Sequence, residues 1–161
     1  MKALTLTQPY ATLVALGAKH IETRSWSTRY RGPLAIHAGK GLGPVGARAG
    51  LYDLAFSDPD GFFYQVLKRA NILCIDDLPL GAIVATARLE ACVDTLFMTL
   101  EKRARVTGWD GEQRYWNLTD QEESFGDYSP GRWAWLLADI KPLAEPILAR
   151  GAQGLWNWKF E

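Results

Sequence analysis

Within the stretch GAKHIETRSW, Gly17 to Trp26, a lysine, a glutamate and an arginine fall within six residues as Lys19, Glu22 and Arg24. An ammonium, an acceptor-only carboxylate and a planar donor fork are the parts that recognise a flat polar group such as a nucleobase with its phosphate. A base can stack on Trp26 or Tyr10, and an arginine can grip a phosphate with paired hydrogen bonds. The same residues also fit a plainer reading. Lys19 would then compensate the dipole of a preceding helix while Glu22 pairs with Arg24 along a strand, an exposed contact worth only ~0–1 kcal/mol. Residue chemistry alone leaves both open.

Other patterns point away from known chemistries. GLGPVG, Gly41 to Gly46, spells G-x-G-x-x-G, but Pro44 removes an amide from the turn that would cradle a pyrophosphate. The next acid expected at a strand end, Asp76, is thirty residues beyond Gly46, too far to serve a ribose. AGK, Ala38 to Lys40, lacks the following serine or threonine and the first glycine of a phosphate loop. His20 and His37 are the only histidines, with no third ligand at metal spacing. Neither a metal nor any other cofactor is expected.

The elements that must position Lys19, Glu22 and Arg24 are legible in the periodicity. Ala3 to Thr7 alternates as a strand, and a short helix is expected from about Pro9 to Leu16, with Pro9 at its first position and Gly17 as its left-handed cap. From His20 the period becomes two, so Ile21, Thr23 and Ser25 share one face and Glu22, Arg24 and Trp26 the other. A second strand follows in GPLAIHA, then a glycine-proline loop, then helical stretches near 45–56 and 62–72. Residues 78–93 form the longest strand candidate. Residues 99–129 are polar and glycine-broken, and read as a surface insertion or lid. SPGRWAWLLADIKPLAEPILARG reads as a strand pair punctuated by Pro142 and Pro146, and the chain closes on LWNWKF. Strands with interspersed short helices give an α+β class, with a sheet curled into a small barrel.

At 161 residues and 18.0 kDa, one domain spanning 1–161 is expected. It would carry a helical insertion near 41–77 and a polar loop insertion near 99–129. The formal net charge is +0, yet residues 1–50 hold seven basic side chains against the single acid Glu22, leaving −6 on the rest. That asymmetry can give one face a positive potential, unless the two halves interleave and cancel. The seven tryptophans exceed what so small a core needs, so some are expected half-exposed. Two cysteines far apart, Cys74 and Cys92, and no signal-like or membrane-length apolar run make a reduced, cytoplasmic protein away from membranes the expectation.

The pattern G-x-K-x-x-E-x-R, here Gly17, Lys19, Glu22 and Arg24, resembles the signature of the ASCH (activating signal cointegrator homology) family. The likeness extends through LTLTQPYATLVALGAKHIETRSW, YRGPLAIHAGK, GAIVATARLEAC and PGRWAWLL, and is similar to the branch containing the C-terminal domain of activating signal cointegrator 1. What this implies is a PUA-like fold, a small mixed β-barrel with flanking short helices, and a nucleic-acid-binding module. Its partner would be RNA, single-stranded nucleic acid or a modified nucleoside, with a protein partner also possible. By the same resemblance Lys19, Glu22 and Arg24 line a cleft with Gln8, Trp26 and Arg31 near it, and Tyr10 and Lys40 join the candidate contacts. Some small family members are amidohydrolases acting on N4-acylcytidine, and others resemble ribonucleases. In such an enzyme Lys19 and Glu22 would be catalytic. Glutamate stands here where the amidohydrolases carry threonine, so Glu22 could serve only as a base on water and not as the nucleophile.

Overall fold

The computed structural model describes residues 1–41, 47–108 and 110–159. The chain divides into two compact units: Met1–Ala18, Leu34–Thr86 and Ile140–Glu161 form unit 1, and Lys19–Pro33 with Ala87–Asp139 form unit 2. The strands are β1 (Lys2–Leu6), β2 (Ile21–Arg24), β3 (Gly32–Ala38), β4 (Ala82–Asp94), β5 (Arg103–Thr107), β6 (Gln113–Asn117), β7 (Trp133–Leu148) and β8 (Leu155–Asn157). The helices are α1 (Tyr10–Ala15), α2 (Ala47–Phe56), α3 (Phe62–Arg69), α4 (Thr95–Glu101) and α5 (Asp120–Ser124). Six strands hydrogen-bond in the order β2-β7-β4-β3-β1-β8, while β5 and β6 pair separately. Parallel pairing of β1 with β3 and antiparallel pairing of β2 with β7 make the sheet mixed, so the α+β class holds.

Unit 1 is built where local signals are strong. Leu13 and Val14 bury the inner face of α1, and the helix ends in a Schellman motif. Gly17, at φ +69°, donates to Val14 O at 2.8 Å and Ala18 donates to Leu13 O at 3.0 Å. Pro9 stands at the N-cap, one place earlier than expected, after a cis Gln8–Pro9 peptide. The same closing device shortens α3. Asn71 takes φ 60° and donates to Lys68 O, while Ile72 reaches back to Leu67 O. Asparagine tolerates this left-handed state, so the helix expected to reach Ile72 stops at Arg69. Asp76 lies in a short 3-10 helix rather than at a strand end, and of the glycine-proline loop GKGLGPVG only Gly39, Lys40 and Gly41 are among the described residues.

The face of β1 that carries Ala3 is made of small residues, and large ones fill it. Ala3 is in register with Ala35 of β3 and Trp156 of β8. Ile83 completes this buried cluster, with Ile147, Trp156 and Trp158 packed over it. Beside it runs a polar chain: Trp156 Nε1 donates to Thr5 Oγ1 at 3.1 Å, which lies 3.2 Å from His37 Nδ1, and His37 Nε2 meets Ala149 O at 3.0 Å. Gly151 makes room for this imidazole, since a Cβ there would come within 2.3 Å of His37 Cε1.

In unit 2 the segment 99–129 departs from expectation. It is not a polar surface loop but a folded part of the core: β5 and β6 form an antiparallel hairpin, and α4 and α5 bracket it. Met98, Ala104, Trp116 and Leu118 join Ile21, Ala134 and Leu136 in one buried cluster. The stretch 133–148 is likewise one strand, not two. Pro142 and Pro146 are four residues apart, so their missing donors fall along the same edge and spare the other. Of the tryptophans among the described residues, Trp116 and Trp135 are buried, and Trp26, Trp133, Trp156 and Trp158 are half-buried.

His37 is buried, and desolvation holds its imidazole below the ordinary value against the pull of Ala149 O. A base whose folded pKa is depressed stabilises the fold fully above its unfolded pKa of about 6.5 and loses that contribution as pH falls toward the folded value. The thermal midpoint should therefore drop between about pH 7 and about pH 5.5, and His37→Gln should flatten that part of the profile. An unchanged slope in the variant would contradict this.

Candidate functional site

Lys19, Glu22, Arg24, Trp26 and Arg31 all belong to unit 2, on one stretch of chain. β2 pairs with β7 so that Glu22 lies opposite Trp135 and Arg24 opposite Trp133. Directly paired residues share a face of an antiparallel ladder, so a carboxylate, a guanidinium and two indoles stand together while Ile21 and Thr23 turn to the other side. Trp26 meets Trp135 edge to face at 4.6 Å between ring centroids, and Trp135 Nε1 donates to Trp26 O at 3.0 Å. That bond fixes the Trp135 ring.

Lys19 is the most enclosed of these residues, with a relative exposure of 0%. Its ammonium donates to Ile21 O at 2.5 Å and Phe125 O at 2.6 Å, and Glu22 Oε2 lies 3.5 Å away. The ammonium thus meets two carbonyls and a carboxylate within unit 2. The last turn of α1 is closed by backbone donors, Gly17 meeting Val14 O and Ala18 meeting Leu13 O. Glu22 Oε1 lies 3.2 Å from Arg24 Nε, so the carboxylate is shared by two cations. Arg24 keeps a quarter of its side chain exposed. Arg31 is exposed, and its Nη1 donates to Thr28 O and Tyr30 O.

The remaining candidates belong to unit 1. Gln8 is buried and both ends of its amide are used: Nε2 donates to Pro79 O at 2.7 Å, and Oε1 accepts from Thr12 N at the start of α1. Tyr10 packs edge-on against Phe63 at 5.9 Å. Lys40 is exposed, with its stem lying over Gly81.

Three residues at this site escape a reading of the sequence. Glu122 is buried, and its carboxylate accepts from His20 N and Ile21 N, the latter at 2.9 Å. Burial pushes this acid above its ordinary range, against the nearby Lys19 ammonium and the two backbone donors. T-D-Q-E at 119–122 spells a capping box and could have marked the start of α5, whose Thr119 does cap Glu122 N. Nothing local says that the glutamate reaches β2. Tyr128 follows a turn held to β2 by Thr23 Oγ1, which accepts from Asp127 N, and by Arg132, which donates to Thr23 O. Its hydroxyl is buried and has no hydrogen-bond partner among the described residues. Burial, reinforced by Glu122, Glu22 and Glu123, raises it far above the usual phenol range, so it persists as a neutral O–H. Trp133 is the third, placed only by register. Among the described residues no group of histidine, cysteine, aspartate and glutamate side chains could hold a metal ion.

Two substitutions separate what is structural here. Lys19→Met leaves buried carboxylates and carbonyls without their cation and should lower the unfolding free energy in urea by about 3–5 kcal/mol; a loss below about 1 kcal/mol would contradict its enclosure. Tyr128→Phe deletes a hydroxyl that has no partner among the described residues and should leave stability unchanged or raised by about 1 kcal/mol, whereas a comparable loss would reveal a native bond.

A family model described as the ASCH domain matches residues 4–146. No curated protein matches the chain. Among solved structures it is similar to the crystal structure of ASCH from Zymomonas mobilis, at 16% identity over 91% of this chain and 72% of that one, with a TM-score of 0.46. A tyrosine-to-phenylalanine mutant of that protein is similar at 16% identity, 91% and 74% coverage and a TM-score of 0.47. A serine-to-alanine mutant gives 17%, 91% and 72%, and 0.43.

Proposed function

The chain belongs to the ASCH domain family, and from that premise we propose that it is a nucleic-acid-binding module whose cleft takes RNA, another single strand or a modified nucleoside. The observation that carries the reading is the shared face of β2 and β7, where Glu22 and Arg24 stand in register with Trp135 and Trp133. Arg24 and Arg31 would hold phosphate, Glu22 would accept from a base N–H, and Trp26 or Trp133 would stack. Lys19 is a positioning residue in this scheme, because its ammonium is spent on Ile21 O, Phe125 O and Glu22. Gln8, Tyr10 and Lys40 belong to unit 1, where Gln8 has a structural part. The proposal extends to the branch containing the C-terminal domain of activating signal cointegrator 1 and to a cytoplasmic setting, the latter supported by free Cys74 and Cys92. No helix among the described residues is long and apolar enough to cross a membrane.

A second reading, hydrolysis of N4-acylcytidine or of RNA in the same cleft, is favoured by one observation: the buried Tyr128 hydroxyl, a proton donor without an acceptor among the described residues. One experiment separates the two. A short RNA containing N4-acetylcytidine is incubated with wild type and with Arg24→Gln, and followed by mass detection and by affinity against salt. The binding module predicts unchanged RNA and an affinity that falls steeply with salt, with a slope about 0.7 smaller for Arg24→Gln, one phosphate contact fewer. Loss of the acetyl group or a cut strand would replace it with the enzyme, and salt-indifferent binding would remove the phosphate contacts.

A further inference from the structure

The family match ends at residue 146, and the tryptophans of LWNWKF lie beyond it. In unit 1 these residues line a cavity of about 460 Å³ with Ile147, Arg150, Trp156, Asn157, Trp158 and Lys159 among its walls. That volume falls within the range of ~300–1,000 Å³ usual for small-ligand sites and is roomy enough for a nucleotide. Among the described residues its lining holds two cations and no carboxylate. Arg150 and Lys159 are both exposed, and neither forms an ion pair among the described residues.

The two indoles are rigid. Trp156 is in register with Ala3, its N–H is engaged by Thr5 Oγ1, and His37 sits edge-on at 5.6 Å. Trp158 N donates to Met1 O at 2.9 Å, and its ring packs on the Ala3, Ala35 and Ile83 cluster. With its N–H already used, Trp156 can offer a ligand only ring surface. Flat aromatic surface beside exposed cations suits a base with its phosphate. An acidic peptide would need the cations but not the indoles.

We propose that this cavity is a second nucleotide-contact site, at which Trp156 and Trp158 stack a base of single-stranded nucleic acid and Arg150 and Lys159 hold the adjoining phosphates. The inference rests on the protein being a nucleic-acid binder, but not on the Glu22–Arg24 face.

The test is fluorescence anisotropy of a labelled single-stranded octauridylate with wild type, Arg24→Gln and the double variant Arg150→Gln/Lys159→Gln, between about 50 and about 200 mM salt. Both positions of the double variant are exposed, so its thermal midpoint should match wild type. Its affinity should fall at least ~5-fold, and its slope of log affinity against log salt should shrink by about 1.4, two phosphate contacts fewer. If Arg24→Gln weakens binding while the double variant matches wild type, the cavity is overturned and the β2–β7 face stands. If only the double variant weakens binding, the cavity stands and the face falls. Absence of binding by wild type overturns both. Displacement of the RNA by polyglutamate as readily as by unlabelled RNA would also overturn the cavity, marking a surface for acidic protein. As a second readout, a 5-bromouridine strand should crosslink on irradiation to the peptide containing Trp156 and Trp158, and crosslinks confined to other peptides would contradict the stacking.

Discussion

An ammonium removed from water must find an acceptor for each of its donors, and in unit 2 that requirement organises everything around Lys19. Ile21 O and Phe125 O take two of them, so one side chain ties β2 to the turn that follows α5. The third direction faces Glu22, which then presents its other oxygen to Arg24. Burying a charge costs several kcal/mol, and only a full set of partners offsets it. The arrangement therefore has little freedom to vary. The exposed part of Arg24 inherits its position from a buried residue five places earlier.

The same turn is held a second and a third time, by Thr23 accepting from Asp127 N and by Arg132 donating to Thr23 O. Glu122 adds a fourth tie through the His20 and Ile21 amides. A site framed by so many backbone contacts is preorganised, and a ligand that meets it loses little to ordering the protein. It also changes how the basic N-terminal segment should be understood. The charge of Lys19 is compensated internally and Arg24 is ion-paired, so the excess of +6 over residues 1–50 overstates the field available to a phosphate.

What could be read from the sequence was what is local. The α1 stop at Gly17 and the alternation that puts Glu22 and Arg24 on one face need only neighbouring residues, and both are present. The hairpin of β5 and β6 was hidden because each strand buries a single residue, Ala104 and Trp116, so its composition is polar although its packing is not. The prolines of β7 disguised one strand as two. Glu122 and Tyr128 were out of reach for a different reason: the carboxylate of Glu122 bonds to a backbone amide 101 positions away. No periodicity records such a partner.

The claim that Lys19 organises the site is tested most directly by a double-mutant cycle, in which the cost of Glu22→Gln in urea is measured with Lys19 present and with Lys19→Met. If the lysine is what Glu22 answers to, the cost should shrink by about 1 kcal/mol or more in the Lys19→Met background. Costs that add to within about 0.3–0.5 kcal/mol would mean that the two residues act independently and would contradict the account.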